Sequence, residues 1–340
     1  MKTVKGLHEK MGTFENANTS FHQAARCKRY TNEVLAFSMV KEEELLRATE
    51  EIQNLTYRQG EYKIFKVFEP KERLIMALPF YDRVVQHMIC NAIQPVFENG
   101  FYYHSYACRS GKGMHAASDT LYQWMYETEV KQGLRMYAFK GDISKYFASI
   151  PHDKLKDENR RYIGDKKALM LMDDIIDHNG ILPDGVGIPV GNLTSQLFAN
   201  VYGNRLDKFI KHTLHIKFCK HVLHIPYFVR YMDDFIILSD DLEQLKEWVK
   251  RIEEFLENEM LLHINPKSTI LYAGNGIDFC GYIHYADHKK VRKSSIRKLK
   301  QDVKAYELGE LPPEEFNRKY ESRKGHLGHA DTYHIAKAVV

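Results

Sequence analysis

Residues 227–238 read YFVRYMDDFIIL, two apolar runs on either side of the polar pair Asp233–Asp234. Runs of strand length around a short polar break predict a β-hairpin with both carboxylates near its tip. Asp240 or Asp241 then stands where a helix N-cap belongs. Leu242, Leu245, Trp248, Val249, Ile252, Phe255 and Leu256 follow on one side of an amphipathic helix. Upstream, MYAFKGD (136–142) alternates like a strand and ends on Asp142, after which Pro151 and Asp153 mark a turn into a helix. Residues 192–210 carry a helical stripe of Leu193, Leu197, Val201 and Leu206 after the turn at 187–191, with Gly203 a local weak point. Strand, helix, hairpin and helix together predict a sheet backed by helices on one face.

Working outward, 340 residues leave room for two or three packed units, and 44% hydrophobic with 28% charged residues is globular rather than disordered or fibrous composition. There is no internal repeat or low-complexity tract. Residues 31–56 read as one helix, with Val34, Leu35, Leu45, Leu46 and Ile52 as its apolar positions. Cys27, Cys90, Cys108, Cys219 and Cys280 form no CxxC pair, which argues against a disulfide framework or zinc ribbon and fits a reducing cytoplasm. His212, His215, Cys219, His221 and His224 crowd together, but their spacing fits no standard zinc finger. The N-terminus lacks an apolar signal core and no stretch of about 18 apolar residues occurs, so no membrane segment is expected.

The net charge of +4 favours a polyanionic partner only weakly, and its distribution says more. KKVRKSSIRKLKQDVK (289–304) holds eight Lys or Arg against one acid, Asp302. A helix there has Ile296, Leu299, Val303 and Tyr306 as its apolar stripe, with Arg297, Lys300 and Lys304 together elsewhere. That face is a phosphate-binding candidate; the plainer alternative is solvated charge.

An Asp-Asp pair between apolar runs is by itself more often turn chemistry than catalysis. With Asp142 at a strand end, however, the chain supplies three carboxylates. Nucleotidyl transfer asks for such a set: two ions about 4 Å apart, one activating a 3′-hydroxyl and one neutralising the triphosphate. Magnesium takes hard oxygen ligands and keeps several waters, so a few strand-end Asp side chains suffice, completed by the nucleotide's phosphates.

YMDD (231–234), preceded by FKGDISKYF (139–147) and GIPVGNLTSQ (187–196), resembles the ordered palm motifs of reverse transcriptases. KERLIMALPFYDRVVQH (71–87) and YACRSGKGMHAAS (106–118) are similar to the fingers segments of that family, INPKST (264–269) to its palm loop with a nucleotide-proximal Lys, and IDFCGYIHY (277–285) to its primer-gripping hairpin. The resemblance leaves out only residues 1–55 or so. It implies an α+β right-hand polymerase fold with fingers, a ferredoxin-like palm and a short helical thumb. The corresponding regions are an N-terminal helical region (1–60), fingers (61–135), palm (136–287, with a fingers insertion about 155–187) and thumb (288–340).

Within the family the chain resembles the enzymes of diversity-generating retroelements. Most reverse transcriptases carry QGxxxSP where this chain reads Val190-Gly191-Asn192-Leu193-Thr194-Ser195-Gln196, and an apolar residue for Gln with Gln for Pro marks that subgroup. YMDD and the stretch SRKGHLGHADTYHI (322–335) point the same way; Gly203, where relatives often carry something bulkier, departs and puts local helix packing in question.

The resemblance implies metal ligation by Asp142 and Asp233, with Asp234 assisting and Ile143 donating a backbone carbonyl. Phe147 falls at the steric gate that would clash with a ribose 2′-hydroxyl, with core packing beside Tyr146 as the alternative. Arg73 is the expected triphosphate clamp, with Lys71 assisting, and Val190 and Gly191 flank the incoming nucleotide. Lys267 is a candidate proton donor to pyrophosphate, or a plain turn residue. Arg109, Lys112, Tyr231, Met232, Arg297, Lys300 and Lys304 are expected to meet nucleic acid.

The activity so implied is that of an RNA-directed DNA polymerase using two Mg2+ ions, with Mn2+ able to substitute. The expected partners are template RNA, the cDNA or primer, dNTPs and a multimeric basic accessory variability protein, with copying error-prone at template adenines. The alternatives are another bacterial reverse transcriptase, group II intron-like or defence-associated, and a non-catalytic RNA-binding scaffold.

Overall fold

The computed structural model describes residues 3–68, 72–214 and 227–332. In chain order the elements begin with helices α1 (Leu7–Met11), α2 (Phe14–Ala24), α3 (Asn32–Met39) and α4 (Lys41–Gln53), then strands β1 (Lys63–Val67) and β2 (Arg73–Ala77). Helices α5 (Phe80–Glu98) and α6 (Met114–Met125) lead to β3 (Tyr137–Asp142). Helices α7 (Tyr146–Ser149), α8 (His152–Tyr162), α9 (Lys166–Asp177) and α10 (Leu193–Lys208) come next. The hairpin β4 (Tyr227–Tyr231) and β5 (Asp234–Ser239) precedes α11 (Leu242–Glu259), and β6 (Thr269–Tyr272) follows it. Strands β7 (Ile277–Phe279), β8 (Tyr282–His284) and β9 (Lys289–Val291) and helices α12 (Lys293–Glu307) and α13 (Pro313–Leu327) complete the chain. Among the described residues no helix is long and apolar enough to cross a membrane.

The chain divides into two compact units. The first comprises Met1–Tyr102, Ile143–Phe209 and Glu253–His263, and the second Tyr103–Asp142, Ile210–Ile252 and Ile264–Val340.

In the first unit α5 is the central element: Val84, Val85, Met88, Ile89, Ile93 and Phe97 are fully buried, and α1, α2, α3 and α10 pack against it. Phe80 meets Phe21 and Phe37 edge to face at 6.0 and 5.1 Å, in the geometry aromatic quadrupoles prefer. Thr13 caps α2 by accepting the Asn16 N–H at 3.2 Å. The single helix expected over 31–56 is two helices. The chain leaves helical geometry at Val40 (φ −120°, ψ 25°) and ends the second helix at Gln53, because a β-branched residue between two well-packed stretches is easily displaced from helical angles. Gly203 lies buried within an uninterrupted α10, so its lower propensity is overridden by packing.

The second unit is built on a four-stranded antiparallel sheet of order β4-β5-β3-β6. One face, formed by Ala138, Val229, Ile236 and Leu238, packs on Ala117, Leu121 and Met125 of α6. The other carries Phe139, Phe228 and Phe235, joined by edge-to-face contacts at 5.7 and 6.2 Å. Helix α6 backs one face as expected, and Phe228, Phe235 and Ile237 on the other face are fully buried as well. The continuous run FIIL in β5, apolar where a half-exposed strand would alternate, is the sequence counterpart. Asp241, of the two candidates, caps α11 by accepting the Gln244 N–H at 3.0 Å. A smaller sheet β7-β8-β9 carries Tyr282 and Val291, which pack with Leu299 of α12 and Leu327 of α13.

Gly141 sits opposite Phe235 in the β3–β5 ladder, and a Cβ there would overlap the Phe235 ring. Gly141→Ala is expected to cost about 1–3 kcal/mol by overpacking. Combined with Phe235→Leu it should cost less than the sum of the two single changes, because the smaller side chain vacates the contested space. Chemical denaturation of the four proteins checks this; simple additivity would show that the ring is not the obstacle.

Candidate active site

The β3–β5 register places Asp142 directly opposite Asp234, and the β4–β5 register places Tyr231 on the other side of Asp234. Alternation along the strands puts all three on one sheet face, with Lys140 also on it. Directly opposed residues have Cβ atoms about 4.5–5.5 Å apart, so the two carboxylates are near neighbours by backbone pairing alone. Asp233 occupies the turn between the strands, and all three Asp are part-buried.

The turn is the tight two-residue connection Met232–Asp233. Met232 has φ 60°, and Asp233 does not share the positive φ, the pattern of a type II′ turn that glycine normally occupies. Arg230, fully buried, donates from its guanidinium to the Met232 carbonyl at 2.9 Å and so secures the strained residue from inside the sheet. Sequence reading missed Arg230. A single basic residue in an apolar strand was its only signal.

Asp142 is held by the loop after α11. Asn265 donates from Nδ2 to Asp142 Oδ2 at 2.6 Å, the Asn265 backbone N–H donates to the Asp142 carbonyl at 2.7 Å, and the Asp142 N–H donates to Ser268 Oγ at 3.0 Å. Asn265 and Ser268 were likewise missed, although both lie in the INPKST segment singled out for Lys267. Lys267 itself is exposed.

Burial, then the neighbouring Asp233 and Asp142 charges, push the Asp234 carboxyl up to about 6, against the smaller opposing influence of Lys140 and Arg292. Such a cluster calls for a compensating cation. Among the described residues no three His, Cys, Asp or Glu side chains converge closely enough to cage an ion by themselves. An open set of strand-end oxygens suits a hard divalent ion that keeps waters and takes further ligands from a phosphate, so the residues fit magnesium better than zinc. Of the histidine-rich stretch, His215, Cys219, His221 and His224 lie outside the described residues.

Apart from Lys267, which is in the second unit, the expected nucleotide-side residues lie in the first unit. Phe147 is only half-buried, whereas Tyr146 beside it is the core residue, its hydroxyl donating to the Ala199 carbonyl at 2.6 Å. The Phe147 carbonyl accepts the Ile188 N–H at 2.8 Å, tying that helix start to the loop before Val190. The Val190 carbonyl in turn accepts the Met76 N–H at 3.0 Å. Gly191 has φ 129°, and a Cβ there would come within 2.7 Å of the Met76 carbonyl oxygen, so only glycine fits this close approach. Asn192 donates to Tyr62 Oη at 2.8 Å, and Gln86 accepts the Leu193 N–H at the start of α10. Arg73 is exposed at the first position of β2, and Ile143 is buried. Lys71 falls outside the described residues.

Of the expected nucleic-acid contacts, Tyr231 is half-buried beside Asp234 and Met232 nearly fully buried in the turn. Arg109 donates to the Ser105 carbonyl at 2.6 Å, and Lys112 donates to the Tyr103 carbonyl while lying 3.5 Å above the Tyr103 ring. These two therefore also brace their own loop. Arg297, Lys300 and Lys304 line one shallow surface of α12 with Lys293 and Ile296, while Leu299 is buried against α13.

The crowding at Asp234 has a stability consequence. Its carboxyl pKa lies above the ordinary 3.8 in the folded chain, so the folded state holds that proton more tightly than the unfolded one. The associated stabilisation is present at low pH and is lost as the pH rises through about 6. Asp234→Asn removes the charge. In EDTA at pH 8 the variant should be more stable than the wild type by on the order of 1 kcal/mol. A variant no more stable than the wild type would show that other groups already relieve the crowding.

Comparison with known proteins places this geometry in a family. Residues 66–284 match the family model described as "Reverse transcriptase (RNA-dependent DNA polymerase)". Protein YkfC of Escherichia coli K12 is 26% identical over 247 residues, covering 63% of this chain and 62% of that protein. A 91 kDa protein in the cob intron of Schizosaccharomyces pombe is 30% identical over 136 residues, 38% of this chain and 16% of its own length. The chain thus spans less than two thirds of either relative. Apo telomerase from Candida tropicalis shares the fold, with a TM-score of 0.51 at 13% identity over 72% of this chain and 51% of that one. With its palm motifs in order and its strand-end carboxylates paired across a sheet, the chain belongs to the reverse transcriptase family and has a right-hand polymerase fold.

Proposed function

We propose that the protein is an RNA-directed DNA polymerase of the diversity-generating retroelement type, acting by two-metal nucleotidyl transfer. The observation that carries the polymerase reading is the Asp142–Asp234 pairing with Asp233 at the adjoining turn: three part-buried carboxylates held together at a cost in repulsion. Two Mg2+ ions bound there would supply Lewis-acid activation of a primer 3′-hydroxyl and neutralisation of the triphosphate. Asp142 and Asp233 would hold them with Asp234 assisting, and Arg73 would grip phosphate oxygens in its guanidinium fork. The half-exposed Phe147 would stand against a ribose 2′-hydroxyl, and the surface of Lys293, Arg297, Lys300 and Lys304 would follow a nucleic-acid backbone.

The finer subtype rests on Val190, where valine offers no hydrogen bond to a nascent base pair. Selection between correct and incorrect pairs then loses a contact that would strengthen only on proper seating. A structured RNA containing the template repeat and a multimeric basic accessory protein belong to this reading. A group II intron-like enzyme is the second reading, favoured by the intron setting of the cob relative.

Three measurements test these assignments. Asp233→Asn should abolish primer extension on an RNA template, a barrier increase of several kcal/mol, while leaving the melting curve nearly unchanged; wild-type extension by the variant refutes the metal assignment. For Phe147→Val, the ratio of kcat/KM for rNTP to that for dNTP should rise, and an unchanged ratio returns Phe147 to a packing role. The wild type should misincorporate mainly opposite template adenine, and Val190→Gln should lower that error about fivefold, roughly 1 kcal/mol for one restored hydrogen bond. Errors that are rare, or even across all four bases, favour the intron-like reading.

A further inference from the structure

The β3–β6 ladder ends at Lys140 paired with Thr269, two residues short of Asp142. On that side Asp142 has no strand partner, so another element must satisfy its backbone polar groups and fix its side chain. The 264–268 loop does both. Ser268 Oγ accepts the Asp142 N–H at 3.0 Å and donates to its carbonyl at 3.4 Å, and that carbonyl also accepts the Asn265 N–H at 2.7 Å. Within this loop, Asn265 Nδ2, 2.6 Å from Oδ2, is the group that reaches the carboxylate itself.

The orientation of the Asn265 amide follows from its other end. Its Oδ1 accepts the Lys267 N–H at 3.0 Å, an Asx turn that leaves Nδ2 facing Asp142. A donor aimed at one oxygen of a metal-ligating carboxylate fixes the rotamer and leaves the other oxygen exposed to the ion, as partners of metal ligands commonly do.

We propose that Asn265 is a positioning residue for metal binding at Asp142, fixing the carboxylate through Oδ2 while Ser268 fixes the strand end beneath it. This rests on Asp142 being a metal ligand. The plainer reading is that Asn265 merely shapes its turn.

Asn265→Ser separates the two readings, because a serine hydroxyl can still accept the Lys267 N–H but is too short to reach Oδ2. Two titrations on the full chain are informative: Mn2+ binding followed by electron paramagnetic resonance without substrate, and the Mg2+ dependence of primer extension. Metal-free melting curves accompany them. The expected result is metal affinity weakened about 10- to 100-fold with a near-wild-type melting curve. Should the serine variant lose its fold, Asn265→Thr, which offers the same hydroxyl, takes its place under the same criteria. Asp142→Asn is the control. If that control is inactive and binds Mn2+ poorly while the Asn265 variant titrates like the wild type, Asn265 is a turn residue and the proposal fails. If Asp142→Asn itself binds metal and extends primers normally, the metal reading of Asp142 fails instead.

Discussion

Two carboxylates facing each other across an antiparallel pair are a fault in an ordinary sheet, since like charges directly opposite destabilise it. Here the Asp142–Asp234 pairing is fixed by the whole register from Tyr137–Ser239 onward. A one-residue slip would carry Phe139 and Phe235 to the α6 side and Ala138 and Ile236 away from it, so the cores on both faces forbid escape from the repulsion. The site is held together by apolar burial elsewhere in the sheet. Lys140 and Arg292 offset only part of the charge, and the raised Asp234 carboxyl is the residue of that imbalance.

The same economy governs the hairpin tip. A left-handed Met232 costs about 1–3 kcal/mol where glycine would cost little, and such strain persists only when its surroundings over-determine it. The fully buried Arg230 is one such determinant, and its backbone is another: the Arg230 N–H donates to His104 and its carbonyl accepts the Tyr106 N–H, both at 3.0 Å. The 104–106 segment thus adds one bridge, at Arg230, to the outer side of β4 and anchors the strand that leads into the turn. A charge buried this deeply is costly unless hydrogen-bonded, so Arg230 trades desolvation for a fixed turn.

Several features could be read from the sequence because they have local signatures. The YFVRYMDDFIIL hairpin, the strand ending on Asp142 and the cap of α11 follow from periodicity and punctuation; of the α12 stripe Leu299 is buried as expected, whereas Ile296 lies with the basic residues and Tyr306 is exposed. Arg230, Asn265 and Ser268 could not be read this way, since their roles depend on partners that only the fold supplies. Asn265 and Asp142 are 123 residues apart, and an asparagine before proline reads locally as turn chemistry and nothing more. The break at Val40 escaped for the opposite reason. The local pattern was helical on both sides, and one β-branched residue is too weak a local signal to mark the kink.

The Val190 loop shows how chemistry can vary on a fixed backbone. Its path is set by groups that do not depend on the side chain at 190: the Met76 N–H on the Val190 carbonyl, the close approach that demands Gly191, the Asn192–Tyr62 bond and the Gln86 acceptor at the start of α10. The Val190 side chain itself is only part-buried. A position whose backbone is pinned by its neighbours can exchange valine for glutamine with little effect on the fold, so the side chain there can change while the loop keeps its path. Stability resides in the register and the loop bonds, and neither of them constrains the Val190 side chain.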